Sequence, residues 1–336
     1  MSEAADHRLE GLEPDNPLAF LALLGLLRAL EEVDAEKGDD ERWWPRAFWS
    51  VDGGAWRPIL RLKRQVDRSL LCARVETGMK AFRDAYAFPG YATPNFPVED
   101  YRKFVREAEH TCGAQDRRRL DVLAAIATDQ ILRKKRSKKS KQNDEQASAS
   151  EQVSSTQLCL MTGQGHQEFL PRLMTALNVS RAIEEIEASL FTRWRRADKE
   201  GKVSFRWDPG ETARQALMAG DPTDNRYKQG SETGANRLAA IGLSVLPVLR
   251  DPTPGADTCT LPGGATVNGE FALHWPIWTE PASLAAIRAL LLHPDLLHRP
   301  DPRRRGGLPH LGVVELYRTS VLQLGRFKSL RQGTLV

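Results

Sequence analysis

The chain has 336 residues, 41% hydrophobic and 27% charged, which excludes global disorder and leaves enough apolar residues for a sizeable core. Lys plus Arg number 48 and Asp plus Glu 44, so the formal net charge is +4, less than many dedicated nucleic-acid binders carry. The four cysteines, Cys72, Cys112, Cys159 and Cys259, offer no CxxC, which excludes a zinc ribbon or thioredoxin-like motif and reads as a reduced cytosolic set of mostly buried thiols.

The N-terminus is acidic and lacks a basic n-region, so no signal peptide is expected and a cytoplasmic location is. The most apolar stretch, Pro17 to Leu30, is too short to span a bilayer and contains Arg28. Asn16 suits a helix N-cap and Pro17 the first helical position. Leu18, Phe20, Leu21, Leu23, Leu24, Leu27 and Leu30 cover most of the circumference, which predicts a helix buried on several sides. Next, Ala47–Val51 and Trp56–Leu62 predict a hairpin turned by Asp52, Gly53 and Gly54, in a region holding Trp43, Trp44 and Trp49. Helical spacing follows over Ser69–Arg83, Val98–Glu109 and Arg117–Arg133, with a proline-rich loop from Phe88 to Pro97.

The composition then shifts. Arg133 to Lys141 carries seven basic residues in nine, and Gln142 to Thr156 has almost nothing to bury. Residues 133–156 are therefore expected to be a flexible linker between a helical part, 1–132, and an α+β part, 157–336. In the second part Gln157–Met161 suits a strand, followed by a helix through about Leu177 and another, capped by Ser180, ending near Trp194. Asn236–Val248 and Pro281–Leu292 predict helices, Thr258–Leu261 and Phe271–Trp275 strands. Val313–Tyr317 and Ser320–Leu324 suit a terminal hairpin. The expected class is α+β, mainly helical with short antiparallel hairpins.

Few motifs carry chemistry. Gly163-Gln164-Gly165-His166 lies between a strand candidate and a helix, where backbone N–H groups could face a phosphate; the plain alternative is a tight turn. There is no GxGxxG, phosphate loop, HExxH or GxSxG, and no catalytic residue, metal or cofactor is assigned. The basic segments say more. Lys134, Lys135, Arg136, Lys138 and Lys139 in the linker could neutralise phosphates or simply solvate it. Arg193, Arg195 and Arg196 surround Trp194, either as a stacking platform or with the tryptophan turned inward. Arg303, Arg304 and Arg305 form a compact loop, and Arg326 and Lys328 follow the terminal hairpin. Asn236 and Arg237 could contact base edges or phosphate; otherwise they cap and charge a helix. Trp275 and Trp278 read as core.

Several phrases occur together: Leu12-Glu13-Pro14-Asp15-Asn16-Pro17-Leu18, Gly163-Gln164-Gly165-His166-Gln167, Arg206-Trp207-Asp208-Pro209, Gly234-Ala235-Asn236-Arg237-Leu238, Trp275-Pro276-Ile277-Trp278 and Gly325-Arg326-Phe327-Lys328. Their order resembles a CRISPR-associated family of type I-G (formerly I-U) systems, in its large-subunit or accessory group. The resemblance implies a non-catalytic nucleic-acid-binding subunit of an RNA-guided surveillance complex. Its implied partners are crRNA, target DNA, other effector subunits and a recruited helicase-nuclease, with no membrane. Two alternatives remain open: a metal-dependent nuclease using dispersed acids and His166, and a structural adaptor binding proteins through the aromatic N-terminal part.

The distribution of charge sharpens the total. Residues 1–42 hold 12 acidic and 4 basic residues, residues 133–141 hold 7 basic and none acidic, and residues 299–336 hold 8 basic and 2 acidic. The small net charge is a cancellation between an acidic head and two basic segments.

Overall fold

Asn16 starts the central helix, α1 (Pro17–Ala35), as the sequence predicts: its Oδ1 accepts the Leu18 N–H at 2.9 Å and Pro17 fills the first position. The computed structural model describes residues 5–113, 117–131, 151–161, 168–178, 182–199, 203–211, 230–250, 259–267, 270–297, 306–324 and 327–336. Nearly every residue of α1 from Pro17 to Leu30 is buried, because neighbours cover it on several sides.

The chain begins with β1 (Ala5–Arg8), which the sequence reading did not anticipate. It pairs antiparallel with β3 (Ala55–Leu62), which also pairs with β2 (Arg46–Asp52), giving the order β1-β3-β2. The β2–β3 turn is the predicted one: Asp52 faces Ala55, and Gly53 and Gly54 both take positive φ, 62° and 80°. Two such residues make the turn whose twist matches the strands.

Helix α2 (Arg68–Ala81) lies against α1, and α3 (Val98–Thr111) against α4 (Arg118–Ile126). The helix expected over Arg117–Arg133 instead ends at Ile126 and continues as β4 (Ala127–Ile131). That strand pairs with β5 (Val153–Ser155), which falls inside the expected linker. The linker's last residues are thus strand. Its basic residues, Lys134 to Lys139, lie outside the described residues.

Further on come α5 (Phe169–Ala176), α6 (Ala182–Phe191) and α7 (Thr233–Leu243). Gln157–Met161 is not a strand but an irregular, mostly buried stretch. A short pair, β6 (Leu249–Arg250) and β7 (Cys259–Thr260), precedes the larger sheet. That sheet has the order β11-β10-β9-β8, from β8 (Gly264–Val267), β9 (Glu270–Trp278), β10 (Val313–Leu324) and β11 (Phe327–Leu330). A last strand, β12 (Thr334–Leu335), also pairs with β10. The expected hairpin of Val313–Tyr317 and Ser320–Leu324 is one continuous strand, paired with β9 from Val313 to Ser320. Helix α8 (Leu284–Leu291) is capped by Ser283, and α9 (Pro294–Leu297) follows. The architecture is α+β.

The two sequence halves share one hydrophobic core. Helix α1 packs most extensively on α7, from the other side of the basic segment. An added Cβ on Gly25 would lie 1.7 Å from the Leu238 carbonyl oxygen, and one on Gly242 would lie 2.1 Å from that of Leu21. Only glycine lets the two backbones approach this closely. Phe20 stacks on Trp275 at 5.8 Å and Trp275 on Tyr317 at 6.0 Å, so three rings tie α1 to the larger sheet. Trp275 Nε1 donates to the Pro14 carbonyl at 2.8 Å, and the Gly333 N–H to that of Asp15 at 2.7 Å. Trp49 and Trp278 meet edge-on at 6.3 Å, joining the β1-β3-β2 sheet to the larger one. As expected, Trp275 and Trp278 are core, and Cys72, Cys159 and Cys259 are buried free thiols. No described helix is long and apolar enough to cross a membrane.

Candidate nucleic-acid interface

The segment Val203–Glu211 alternates apolar and polar residues, and the structure explains why. Phe205 and Trp207 are buried and stack on each other at 4.6 Å, with Phe169 of α5 against both. Trp207 Nε1 donates to the Leu158 carbonyl at 2.9 Å. Between these anchors Arg206 is held at φ 65°, in the left-handed region that a bulky side chain rarely occupies. Arg196 sits in the same region at φ 49°.

Asp208, fully buried, gathers this backbone. Its carboxylate accepts Arg196 Nε at 2.7 Å and Nη2 at 3.1 Å, Asn16 Nδ2 at 3.0 Å and the Gly210 N–H at 2.9 Å. A buried carboxylate needs such a set of donors. Glu232 accepts the backbone N–H of Arg196. Beside it, Glu211 accepts from Ser204 Oγ and, at 3.4 Å, from Asn236 Nδ2. Burial first, and the nearby Asp208 second, push the Glu211 carboxyl up to about 8.

The expected contact residues separate into three groups. Asn236 and Arg237 are corrected outright: both are buried. Asn236 Oδ1 accepts the Phe205 N–H, and Arg237 pairs with Glu76 at 3.2 Å and Glu185 at 3.7 Å while Nε donates to the Ala176 carbonyl at 2.8 Å. Both side chains are turned into the core. Arg193 and Arg195 are exposed just past α6, which ends at Phe191 and not near Trp194. Arg196, grouped with them by sequence, is half-buried and committed to Asp208. Trp194 is half-buried, its Nε1 donating to the Ser189 carbonyl at 2.8 Å. Lys134, Lys135, Arg136, Lys138, Lys139, Arg303, Arg304, Arg305, Arg326 and His166 lie outside the described residues.

Lys328 is described and half-buried, and it lines an open cleft of about 580 Å³. Its lining mixes polar side chains, Gln152, Ser154, Thr156 and Gln323 among them, with Leu160, Phe271 and Val321, and holds Glu270 as well as Lys328. One group of lining residues is β5 and its flanks, and Val153 of β5 faces Ile131 of β4. Another is the β10–β11 pair, where Gln323 faces Lys328. Two of the predicted basic segments therefore adjoin, in sequence, strands that line one cleft.

Sequence reasoning missed Asp208 and Glu211 as a site. The Arg206-Trp207-Asp208-Pro209 phrase and the Phe205/Trp207 alternation were the available signals. Among the described residues, no group of three or more His, Cys, Asp or Glu is placed to hold a metal ion. No family model, curated protein or solved structure matches the chain.

Proposed function

We propose that the chain is a non-catalytic nucleic-acid-binding subunit of a type I CRISPR surveillance complex, working with crRNA, target DNA and other effector subunits, and handing the target to a separate helicase-nuclease. The family resemblance supports the assembly. One observation carries the binding role: the cleft that Lys328 lines is walled by polar side chains of β5 and of the β10–β11 pair, the strands that Lys134–Lys139 and Arg326 adjoin in sequence. Lys328 and the uncharged polar side chains suit a phosphate backbone held by charge and oriented by hydrogen bonds, and Glu270 is the carboxylate on the same lining.

The experiment is a binding titration against salt with the full chain. Replacing Arg326 and Lys328 by Ala should flatten the log–log salt slope by about 0.7 to 0.9 per lost phosphate contact. Unchanged affinity and slope would overturn the role of this cleft. Co-purification with other effector subunits, followed by analysis of bound RNA, tests the assembly.

A second reading, an adaptor for protein partners, is favoured by Trp44. It is 47% exposed at φ 50°, with its N–H and that of Trp43 held by the Asp34 carboxylate. In that case Trp44→Ala would cost association with other subunits and leave the salt slope intact.

A further inference from the structure

One face of the larger sheet runs from the core into the cleft. Tyr317 faces Trp275 and Thr319 faces Leu273 across β10 and β9, and Gln323 faces Lys328 across β10 and β11. Alternation along each strand therefore puts Phe271, Val321, Gln323 and Lys328 on the face that carries Trp275 and Tyr317. At one end of this face Trp275 lies against Phe20 of α1. At the other, Phe271, Val321, Gln323 and Lys328 line the cleft of about 580 Å³.

Phe271 is half-buried there. An added Cβ on Gly264 of β8 would lie 2.9 Å from Phe271 Cε2, so the ring rests on a glycine and gives the cleft its remaining surface. A phosphate backbone alone would use Lys328, but it has no use for Phe271 and is repelled by the exposed Glu270. A base has a use for both. Any base stacks on an aromatic ring, and a carboxylate accepts from an exocyclic amino group. Strand β10 lies between β9 and β11, so Lys328 stands about 10 Å across the sheet from Glu270 and Phe271. That separation orients a strand, phosphate towards β11 and base towards β9. The cleft has the volume of pockets that enclose a drug-sized ligand, which suits a nucleotide and not a duplex.

We propose that the cleft takes a single strand of nucleic acid with one amino-bearing base drawn out of its stack: the base lies on Phe271, its amino group donates to Glu270, and its phosphate meets Lys328. The inference rests on the nucleic-acid reading and adds to it the strand form and the base.

The test uses the full chain with labelled oligocytidylate, oligothymidylate and a duplex, each titrated against salt. The parent should bind oligocytidylate more tightly than oligothymidylate, because only cytosine offers an amino group. Phe271→Leu should weaken single-strand binding about 5- to 150-fold at an unchanged salt slope, since it removes a stacking surface and no charge. Phe271→Tyr should bind as the parent does. Duplex binding should be the same for all three, because its bases stay stacked. Glu270→Ala should erase the preference for oligocytidylate. If Phe271→Leu keeps the parent affinity for single strands, or loses as much on duplex, the base site is overturned while the nucleic-acid reading stands. If Phe271→Leu does not fold, the exposed Glu270 decides, and an unchanged preference in Glu270→Ala overturns the site. If the parent binds neither single strands nor duplex, the nucleic-acid reading itself is overturned.

Discussion

Arg196 and Asp208 meet at two points, Nε to Oδ2 at 2.7 Å and Nη2 to Oδ1 at 3.1 Å, and Asp208 is fully buried. The same carboxylate holds Asn16, whose other side-chain atom caps α1. One buried charge therefore fixes both the start of the central helix and the loop beyond α6.

Asp208→Ala should remove about 3 kcal/mol of stability, because it leaves a half-buried guanidinium, the Asn16 amide and the Gly210 N–H without their acceptor. Urea unfolding measures this. A loss well under 1 kcal/mol would mean the network relaxes onto water (a buried charge pair broken on one side costs about 3–5).

Glu211 predicts a pH dependence. Its carboxyl is raised to about 8 in the fold, so the folded state holds a proton that the unfolded chain releases near pH 4.5. The stabilisation is complete below the unfolded value and is lost as pH rises through the folded one. Stability should decline between those two values, and Glu211→Gln should flatten the decline. Chemical denaturation at a series of pH values checks both.

Arg237→Ala should act on folding and not on nucleic acid. It strips Glu76 and Glu185 of their buried cation and should cost about 3–5 kcal/mol. Arg237→Lys, which keeps the charge but not the reach to the Ala176 carbonyl, should recover part of this. The salt slope of any folded variant should match the parent.

Gly25→Ala should cost about 1–3 kcal/mol or more, since the new methyl meets backbone of α7, which cannot rotate aside. A control at Gly38, where an added Cβ meets nothing within 4 Å, should leave the melting temperature within a few degrees of the parent.

Much of the framework was legible because local chemistry and burial agree there. Asn16-Pro17 marks the start of α1, and Gly53-Gly54 sets the hairpin. The α4–β4 junction was not legible, because Val122, Leu123, Ile126 and Ile131 fit a helical period as well as a change of element. Strand β10 reads as two in the sequence because Arg318-Thr319 resembles a turn, and its partners β9 and β12 keep it extended. The site was less legible still. Arg237 and Glu76 lie 161 positions apart, so nothing local shows that the arginine is neutralised inside the core.

The helix pair α1–α7 joins what the basic segment separates in sequence. A protease that cuts within residues 132–150 would nick the chain without dividing the molecule. The two fragments would remain interlocked through Gly25 and Gly242 and through the Phe20–Trp275–Tyr317 stack. Either fragment made alone would expose the apolar face that its counterpart covers. Co-expressed as separate chains, they should recover each other.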